Sequence, residues 1–165
     1  MKIGVLALQG AFIEHIKALE KLSVTAVPIR MPSQLEGLDG LIIPGGESTT
    51  ILKLIQSFNL LEPLKVMAAT GFPIWGTCAG MICLAKNISH SNGSNPPMET
   101  LSLMDMVVKR NAFGRQVDSF EADLNIEALK NGPFHAVFIR APIIASVSGP
   151  VEVLARLEEI GRAHV

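Results

Sequence analysis

The first part of the chain alternates between short apolar runs and segments with apolar residues at helical spacing. Ile3–Leu8 is nearly continuous in apolar residues and ends at Gln9-Gly10, a pattern typical of a strand buried on both faces. In the next segment, apolar residues recur every three or four positions and charged residues occupy the other side. That spacing predicts an amphipathic helix from Phe12 to Leu22.

The same alternation continues to about residue 86. Further strands are predicted at Val24–Ile29, Gly40–Ile43 and Ile74–Gly76, and further helices at Ser48–Phe58 and Ala79–Lys86. Strands that alternate with helices indicate βαβ units. We therefore expect an α/β fold with a parallel sheet and helices on both faces.

The pattern changes after Ser89–Pro97, which is rich in Ser, Asn, Gly and Pro and is predicted to be a loop. Beyond it, strands are predicted with little helix between them, at Leu101–Arg110, Gln116–Leu124, Ala136–Arg140 and Val151–Leu157. There are no internal repeats. The 165 residues, of which 48% are hydrophobic, predict one compact domain with a sizeable core.

Composition argues against several classes of partner. The formal charge is −1, and lysines and arginines do not cluster on any predicted face, so we expect no nucleic-acid or membrane-surface binding. No apolar run reaches the roughly 18 residues of a membrane span, and the N-terminus lacks a signal-peptide pattern. Cys78 and Cys83 match neither a disulfide framework nor a zinc spacing, so no metal is expected and a reducing cytoplasm is predicted.

The sharpest local motif is Gly76-Thr77-Cys78-Ala79-Gly80, between a predicted strand and a predicted helix. It has the form of a nucleophile elbow with cysteine in place of serine. Flanking glycines suit the tight turn, and the start of the following helix favours negative charge on Cys78 and on an oxyanion beside it. The N–H of Ala79 is placed to donate to that oxyanion. The alternative is a small buried cysteine in a tight turn, and Cys83, in mid-helix, is expected to be such core packing.

A second motif, Pro44-Gly45-Gly46-Glu47-Ser48, leaves the strand Gly40–Ile43 and enters a helix. A Gly-Gly turn there exposes N–H groups at the carboxyl edge of the sheet, where open α/β folds bind ligands. Ser48 is also a reasonable N-cap for the helix, which is the purely structural explanation for it.

Together these motifs resemble the nucleophile and oxyanion segments of class I, triad-type glutamine amidotransferases. Three further segments narrow the resemblance to the glutaminase subunit of pyridoxal 5′-phosphate synthase: Gly4–Gly10 (GVLALQG), Arg110–Gln116 (RNAFGRQ) and Phe138–Pro142 (FIRAP). The resemblance runs from residue 3 to about residue 157. It implies a flavodoxin-like α/β domain, with an open, mostly parallel sheet and helices on both faces, that hydrolyses L-glutamine to glutamate and ammonia without a cofactor. The ammonia would pass to a lyase-type synthase subunit in a large hetero-oligomer that makes vitamin B6.

The resemblance also implies roles for individual residues. Cys78 is the nucleophile, and the backbone N–H groups of Gly46 and Ala79 form the oxyanion hole. The residues that hold glutamine are Gly46, Glu47, Ser48, Arg110, Ile139 and Arg140. An arginine suits the substrate carboxylate, because its planar fork can bind both oxygens. Gln9 is the partner-interface residue that helps order the oxyanion segment, although a glutamine at a strand end can also cap its own turn.

One required feature of that family is absent. Its members carry a catalytic His and Glu in a His-Pro-Glu segment near the C-terminus, whereas this sequence contains no His-x-Glu. His164 is followed only by Val165 and is interpreted as non-catalytic. The remaining histidines are predicted to serve structure or solvent contact: His15, His90 and His135.

The last residues suggest an origin for this absence. A reverse translation of Glu159 to Val165 and a stop codon contains, from its second base, the start of a common sequencing-library adapter. We therefore expect a glutamine amidotransferase domain at 1–158 that is incomplete at its C-terminus, followed by a non-native tail at 159–165. Such a copy is expected to be impaired.

Three other interpretations remain open. The chain could serve as the glutaminase of another acceptor enzyme, against which the Arg110–Gln116 and Phe138–Pro142 segments argue. It could be a non-catalytic binding subunit that kept the fold and lost the triad. It could also be a cysteine-based sensor or hydrolase, which would not need the glutamine-contacting segments.

Overall fold

A computed structural model describes residues 1–89, 99–110, 119–126, 129–130, 132–139, 141–157 and 163–164. Contacts divide the chain into two compact units. The first contains Met1–Leu84 and Pro97–Leu103, and the second contains Ala85–Pro96 and Met104–Val165. The predicted loop Ser89–Pro97 lies outside the described residues from position 90 onward.

The first unit is built on a four-stranded parallel sheet. Its strands and helices follow in the order β1 Lys2–Leu6, α1 Phe12–Lys21, β2 Thr25–Ile29, β3 Gly40–Ile43, α2 Ser48–Ser57, α3 Leu61–Ala69, β4 Ile74–Gly76 and α4 Ala79–Leu84. The strand order is β2-β1-β3-β4. Because the chain moves outward from β1 in both directions, the right-handed crossover rule assigns α1 to one face and α2 and α3 to the other. The helix α4 contacts α2. This arrangement confirms the predicted α/β class.

The core of the first unit lies between the sheet and its helices. Every residue of β3 is buried, as the apolar run predicts for a central parallel strand. The buried side chains that the helices contribute include Ile51, Leu52, Ile55, Leu64 and Ile82. The helix α3 was not predicted, because Pro63 interrupts its pattern and Val66 on its other side is 63% exposed. Its docking rests on Leu64, which is fully buried.

The second unit contains short strands in three groups: β5 Ala85–Ser89, β6 Met104–Lys109, β7 Phe120–Leu124, β8 Phe134–Phe138, β9 Ile143–Val147, β10 Arg156–Leu157 and β11 Ala163–His164. The strand β6 pairs with β5 in parallel and with β9 in antiparallel orientation. The strands β7 and β8 form an antiparallel pair whose inner face is a small apolar cluster around Leu124 and Phe138. The backbones of β10 and β11 also pair.

Several predictions in this region differ from the structure. The strand predicted at Ala136–Arg140 lies at Phe134–Phe138, and β9 was not predicted. The helix predicted at Ala79–Lys86 ends at Leu84, and Ala85–Ser89 is the strand β5, because pairing with β6 outweighs helical continuation through Asn87 and Ile88. The strand predicted at Val151–Leu157 is limited to Arg156–Leu157. Among the described residues, none of the helices has the length and apolarity to cross a membrane.

Candidate active site

Three segments of the first unit meet at one edge of its sheet. Gln9 follows β1, Gly45 and Gly46 follow β3, and Cys78 follows β4. Because these strands are parallel, their carboxyl ends lie at the same edge. The boundary between β1 and β3 is also where the connections diverge to opposite faces, which is the switch point at which open α/β sheets bind ligands.

The turn around Cys78 is held by backbone hydrogen bonds on both sides. The N–H of Thr77 donates to the carbonyl oxygen of Ile43 at 3.0 Å, and the N–H of Gly80 donates to the carbonyl oxygen of Thr77 at 2.8 Å. Between them Cys78 has a φ of 50°, in the left-handed region that residues with a side chain rarely adopt. Such backbone costs on the order of 1–3 kcal/mol and recurs at functional sites. The predicted strand-to-helix elbow is therefore present, with the Cys78 side chain exposed.

Close backbone packing explains the second glycine of the elbow. A Cβ atom on Gly80 would overlap the carbonyl oxygen of Ile43, so no side chain fits between α4 and β3. The first turn of α4 can thus approach the end of β3 directly. This approach brings the elbow against the Pro-Gly-Gly segment.

The Pro-Gly-Gly segment touches the elbow at Gly45. A Cβ atom built on Gly45 would lie 3.3 Å from Cβ of Cys78. The carbonyl oxygen of Gly45 accepts the N–H of Ala11 at 2.9 Å. Gly10, with a φ of 96°, comes so close to this carbonyl that a side chain would overlap it. The segment is therefore held between the start of α1 and the elbow.

Gln9 contacts the predicted oxyanion segment directly. Its side-chain Oε1 accepts the backbone N–H of Glu47 at 2.9 Å. A Cβ atom on Gly46 would lie 2.5 Å from the same oxygen, so a side chain there would displace the Gln9 amide. This geometry agrees with an ordering role for Gln9, and its place at a partner interface stays a prediction.

The structure corrects the expected N-cap of α2. The capping residue is Glu47 and not Ser48, which is the first residue of the helix and is buried. The Glu47 carboxylate accepts the N–H of Thr49 at 3.1 Å, and the N–H and hydroxyl of Thr50 at 2.7 and 2.8 Å. Partial burial of this carboxyl raises its pKa, but the hydrogen bonds from Thr50 and Thr49 outweigh that effect and lower the pKa of Glu47 to about 2. Glu47 is thus an anion at the helix N-terminus.

The other predicted glutamine-binding residues belong to the second unit. Arg110 directly follows β6 and is half-buried, with its N–H donating to the carbonyl oxygen of Ser89 at 3.4 Å. Ile139 follows β8 and is 59% exposed. Arg140 lies outside the described residues. Their roles in binding glutamine stay predictions.

The two cysteines differ in environment as expected. Cys83 in α4 is fully buried, which confirms its assignment to core packing, whereas Cys78 is exposed at the sheet edge. No group of three or more His, Cys, Asp or Glu side chains that could hold a metal ion occurs within the described ranges.

One histidine lies beside the elbow, which sequence reasoning missed. Nε2 of His15 in α1 is 3.2 Å from the hydroxyl oxygen of Thr77.

Of the other histidines, His135 lies in the second unit between Asp123, at 2.8 Å, and Glu121, at 3.1 Å. The hydrogen bonds to these two carboxylates raise the pKa of His135. His90 lies outside the described residues, and only the backbone of His164 is described.

Comparison with known proteins identifies the family of the chain. The sequence model of the SNO glutamine amidotransferase family matches residues 5–164. The chain therefore belongs to this glutamine amidotransferase family.

The individual proteins that are similar to this chain point to one particular subunit within the family. "Pyridoxal 5′-phosphate synthase subunit PdxT" of Dehalococcoides mccartyi is 59% identical over 159 residues, which are 96% of this chain and 80% of that protein. The subunit of the same name from Moorella thermoacetica is 59% identical over 159 residues, covering 96% and 82%. A crystal structure of a glutamine amidotransferase has a TM-score of 0.85 and 49% identity, and covers 94% of this chain and 79% of that one. These matches confirm the resemblance inferred from the motifs. They do not test the predicted boundary at residue 158, which stays a prediction.

The Glu47 cap makes a prediction about stability. We expect Glu47→Ala to lower the free energy of unfolding at neutral pH by about 1 kcal/mol, as loss of a side-chain N-cap does. Since the pKa of Glu47 is lowered in the folded state from its ordinary value of 4.5 to about 2, the contribution is fully present above 4.5. It declines as the pH falls from there towards 2.

Urea denaturation of wild type and variant, from neutral pH down to about pH 3, measures this difference. Glu36→Ala, at an exposed glutamate outside the site, is the matched control and should change little. An equal loss of unfolding free energy in both variants would contradict the capping role. So would a Glu47→Ala loss that does not become smaller in acid.

Proposed function

We propose that this chain hydrolyses L-glutamine and delivers the ammonia to a synthase subunit that makes pyridoxal 5′-phosphate. The observation that carries the proposal is the contact between the Cys78 turn and Gly45 at the switch point of the sheet. Membership of a glutamine amidotransferase family supports the reaction, and the names of the relatives support the product.

The proposed chemistry begins with the Cys78 thiolate. Its sulfur adds to the carboxamide carbon, and the negative charge moves to the former carbonyl oxygen. The N–H groups of Gly46 and Ala79 donate to that oxygen, which stabilises the charge without reorganisation. Collapse of the adduct breaks the C–N bond, and the nitrogen takes a proton from solvent water and leaves as ammonia. Water then cleaves the thioester, which yields glutamate and frees Cys78.

Substrate contacts are proposed at both ends of glutamine. Gly46, Glu47 and Ser48 form the segment next to the carboxamide, and the Glu47 cap supports this by fixing the first turn of α2. Arg110, Ile139 and Arg140 are proposed to bind the amino-acid end, where an arginine can hold the carboxylate with two hydrogen bonds.

The partner is proposed to be the synthase subunit of a large hetero-oligomer, with Gln9 near the interface. Because Gln9 accepts the N–H of Glu47, a partner that moves this side chain would also move the segment containing Gly46. The names of the relatives favour this partner over another acceptor enzyme.

A covalent label tests the proposed nucleophile and substrate. We expect a glutamine analogue with a diazoketone in place of the carboxamide to alkylate Cys78, with loss of dinitrogen, and the rate to saturate with its concentration. Peptide mass spectrometry locates the label, and L-glutamine should protect against it. Cys78→Ser should abolish labelling, and buried Cys83 should stay unlabelled. A rate that neither saturates nor falls with added glutamine would contradict a glutamine site and favour a cysteine-based sensor.

Turnover by the chain of 165 residues is expected to be low. None of its four histidines is followed two positions later by glutamate, so the base that this family pairs with the nucleophile is lacking in the sequence. General acid–base assistance is worth about 10²–10⁴ in rate, and loss of one member of a catalytic unit can cost about 10⁶. We therefore expect ammonia release, measured with the synthase subunit present, to be at least about 10²-fold slower than from a relative with the His-x-Glu pair.

The matched control for this assay is Cys78→Ser, which sets the background rate. Turnover near that of the relative would mean that another residue supplies the base. Binding of the synthase subunit without turnover would favour the non-catalytic subunit.

A further inference from the structure

The elbow that presents Cys78 is contacted by a side chain from a different part of the chain. His15 lies in the first half of α1, and its Nε2 is 3.2 Å from Oγ1 of Thr77, the residue directly before Cys78. The imidazole also packs edge-on against Trp75, with ring centroids 5.9 Å apart and an interplanar angle of 84°. Two residues of the segment leading to the nucleophile are thus contacted by one histidine.

Thr77 is the residue through which the elbow is held. Its N–H donates to Ile43 and its carbonyl oxygen accepts from Gly80, so its backbone is fixed to β3 and to α4. The contact with His15 adds a third point, on α1. Because the next residue is in a strained conformation, with a φ of 50°, it requires neighbours that hold it there.

The imidazole makes this contact as a neutral group. Partial burial lowers the pKa of His15 below its ordinary value, against the opposing attraction of Glu14. A neutral imidazole carries one donor and one acceptor nitrogen, and a threonine hydroxyl can match either. The hydrogen bond therefore forms without placing a charge beside Thr77.

The start of α1 also touches the other half of the site. Ala11, the residue before the helix, donates its N–H to Gly45, and Gln9 accepts from Glu47. One short segment, from Gln9 to His15, thus contacts both the Pro-Gly-Gly segment and the elbow. The position of this segment therefore affects how the Pro-Gly-Gly segment and the elbow lie relative to each other.

We propose that His15 is a positioning residue for the nucleophile, which acts through its hydrogen bond to the Thr77 hydroxyl to hold the elbow in the conformation that presents Cys78. This inference rests on the proposed function, because the elbow is proposed to present the Cys78 sulfur to the carboxamide carbon of glutamine. His15 does not take part in proton transfer in this account. It aligns the sulfur with the bound substrate.

The test compares the alkylation kinetics of Cys78 in variants of the full chain, with the diazoketone glutamine analogue as probe. His15→Phe keeps an aromatic ring next to Trp75 and removes the hydrogen bond. We expect its maximal alkylation rate constant to fall by about 3- to 10-fold, as for loss of one neutral hydrogen bond. The analogue concentration at half-maximal rate should stay within about twofold of wild type, since the bond positions the sulfur and not the ligand.

Conservative variants separate positioning from general stability. The Nε2 of glutamine occupies a position similar to Nε2 of histidine, whereas the shorter asparagine side chain matches only Nδ1. His15→Gln should therefore restore most of the rate, and His15→Asn should not. Thr77→Val, which is nearly isosteric, should slow alkylation as His15→Phe does, and Thr77→Ser should be close to wild type. The double variant His15→Phe/Thr77→Val should be no slower than either single variant.

Two further measurements distinguish a failure of the His15 proposal from undocking of α1 and from a wrong substrate. Trp75 is the only tryptophan in the chain, so its emission maximum reports whether α1 stays docked in each variant. Iodoacetamide, which needs no glutamine site, measures Cys78 reactivity independently. If the analogue shows no saturation but iodoacetamide rates follow the same order among variants, the proposed substrate is wrong and the role of His15 stands. Wild-type rates in His15→Phe and Thr77→Val, or additive losses in the double variant, would overturn the proposal.

Discussion

The site depends on the close approach of backbones at the carboxyl ends of β1, β3 and β4. Gly80 lies against the carbonyl of Ile43, and Gly10 lies against the carbonyl of Gly45, in both places too near for a side chain. These two contacts bring the start of α4 and the start of α1 onto the same strand end. A side chain at Gly80 would push α4 away from β3, and a side chain at Gly10 would push the start of α1 away from Gly45. The Cys78 turn and the Pro-Gly-Gly segment meet because of these two contacts.

A few polar side chains form hydrogen bonds to the segments that this backbone packing brings together. Glu47 caps α2 as a carboxylate, Gln9 accepts the N–H of Glu47, and His15 contacts Thr77 as a neutral imidazole. The bonds of Glu47 and His15 join segments of the candidate site to the helices α2 and α1, so their local conformation is supported by the fold. The strained φ of Cys78 persists for the same reason, since Thr77 and Gly80 on either side of it are fixed by backbone bonds.

Much of this arrangement could be predicted from the sequence, since it follows from local patterns. Gly40–Ile43 and Ile74–Gly76 were predicted as strands with the bounds that the structure has. The elbow was predicted from five consecutive residues. The helix α3 was missed because Pro63 obscures its pattern, and β5 was missed because its pairing with β6 is a tertiary effect. The Glu47 cap was assigned to Ser48, since serine is the commoner capping residue, and the contact between His15 and Thr77 joins residues 62 positions apart that no local pattern connects.

The proposed site requires Cys78 and the N–H groups of Gly46 and Ala79 to converge on one carbonyl group, with the sulfur facing its carbon and the N–H groups facing its oxygen. A crystal structure of the protein alkylated by the diazoketone analogue of glutamine tests this directly, because the ketone oxygen stands in for the carboxamide oxygen. We expect an adduct on Sγ of Cys78 with that oxygen within hydrogen-bond distance, roughly 2.7–3.2 Å, of both nitrogen atoms. An adduct whose ketone oxygen points to solvent, or reaches neither N–H, would contradict the proposed site.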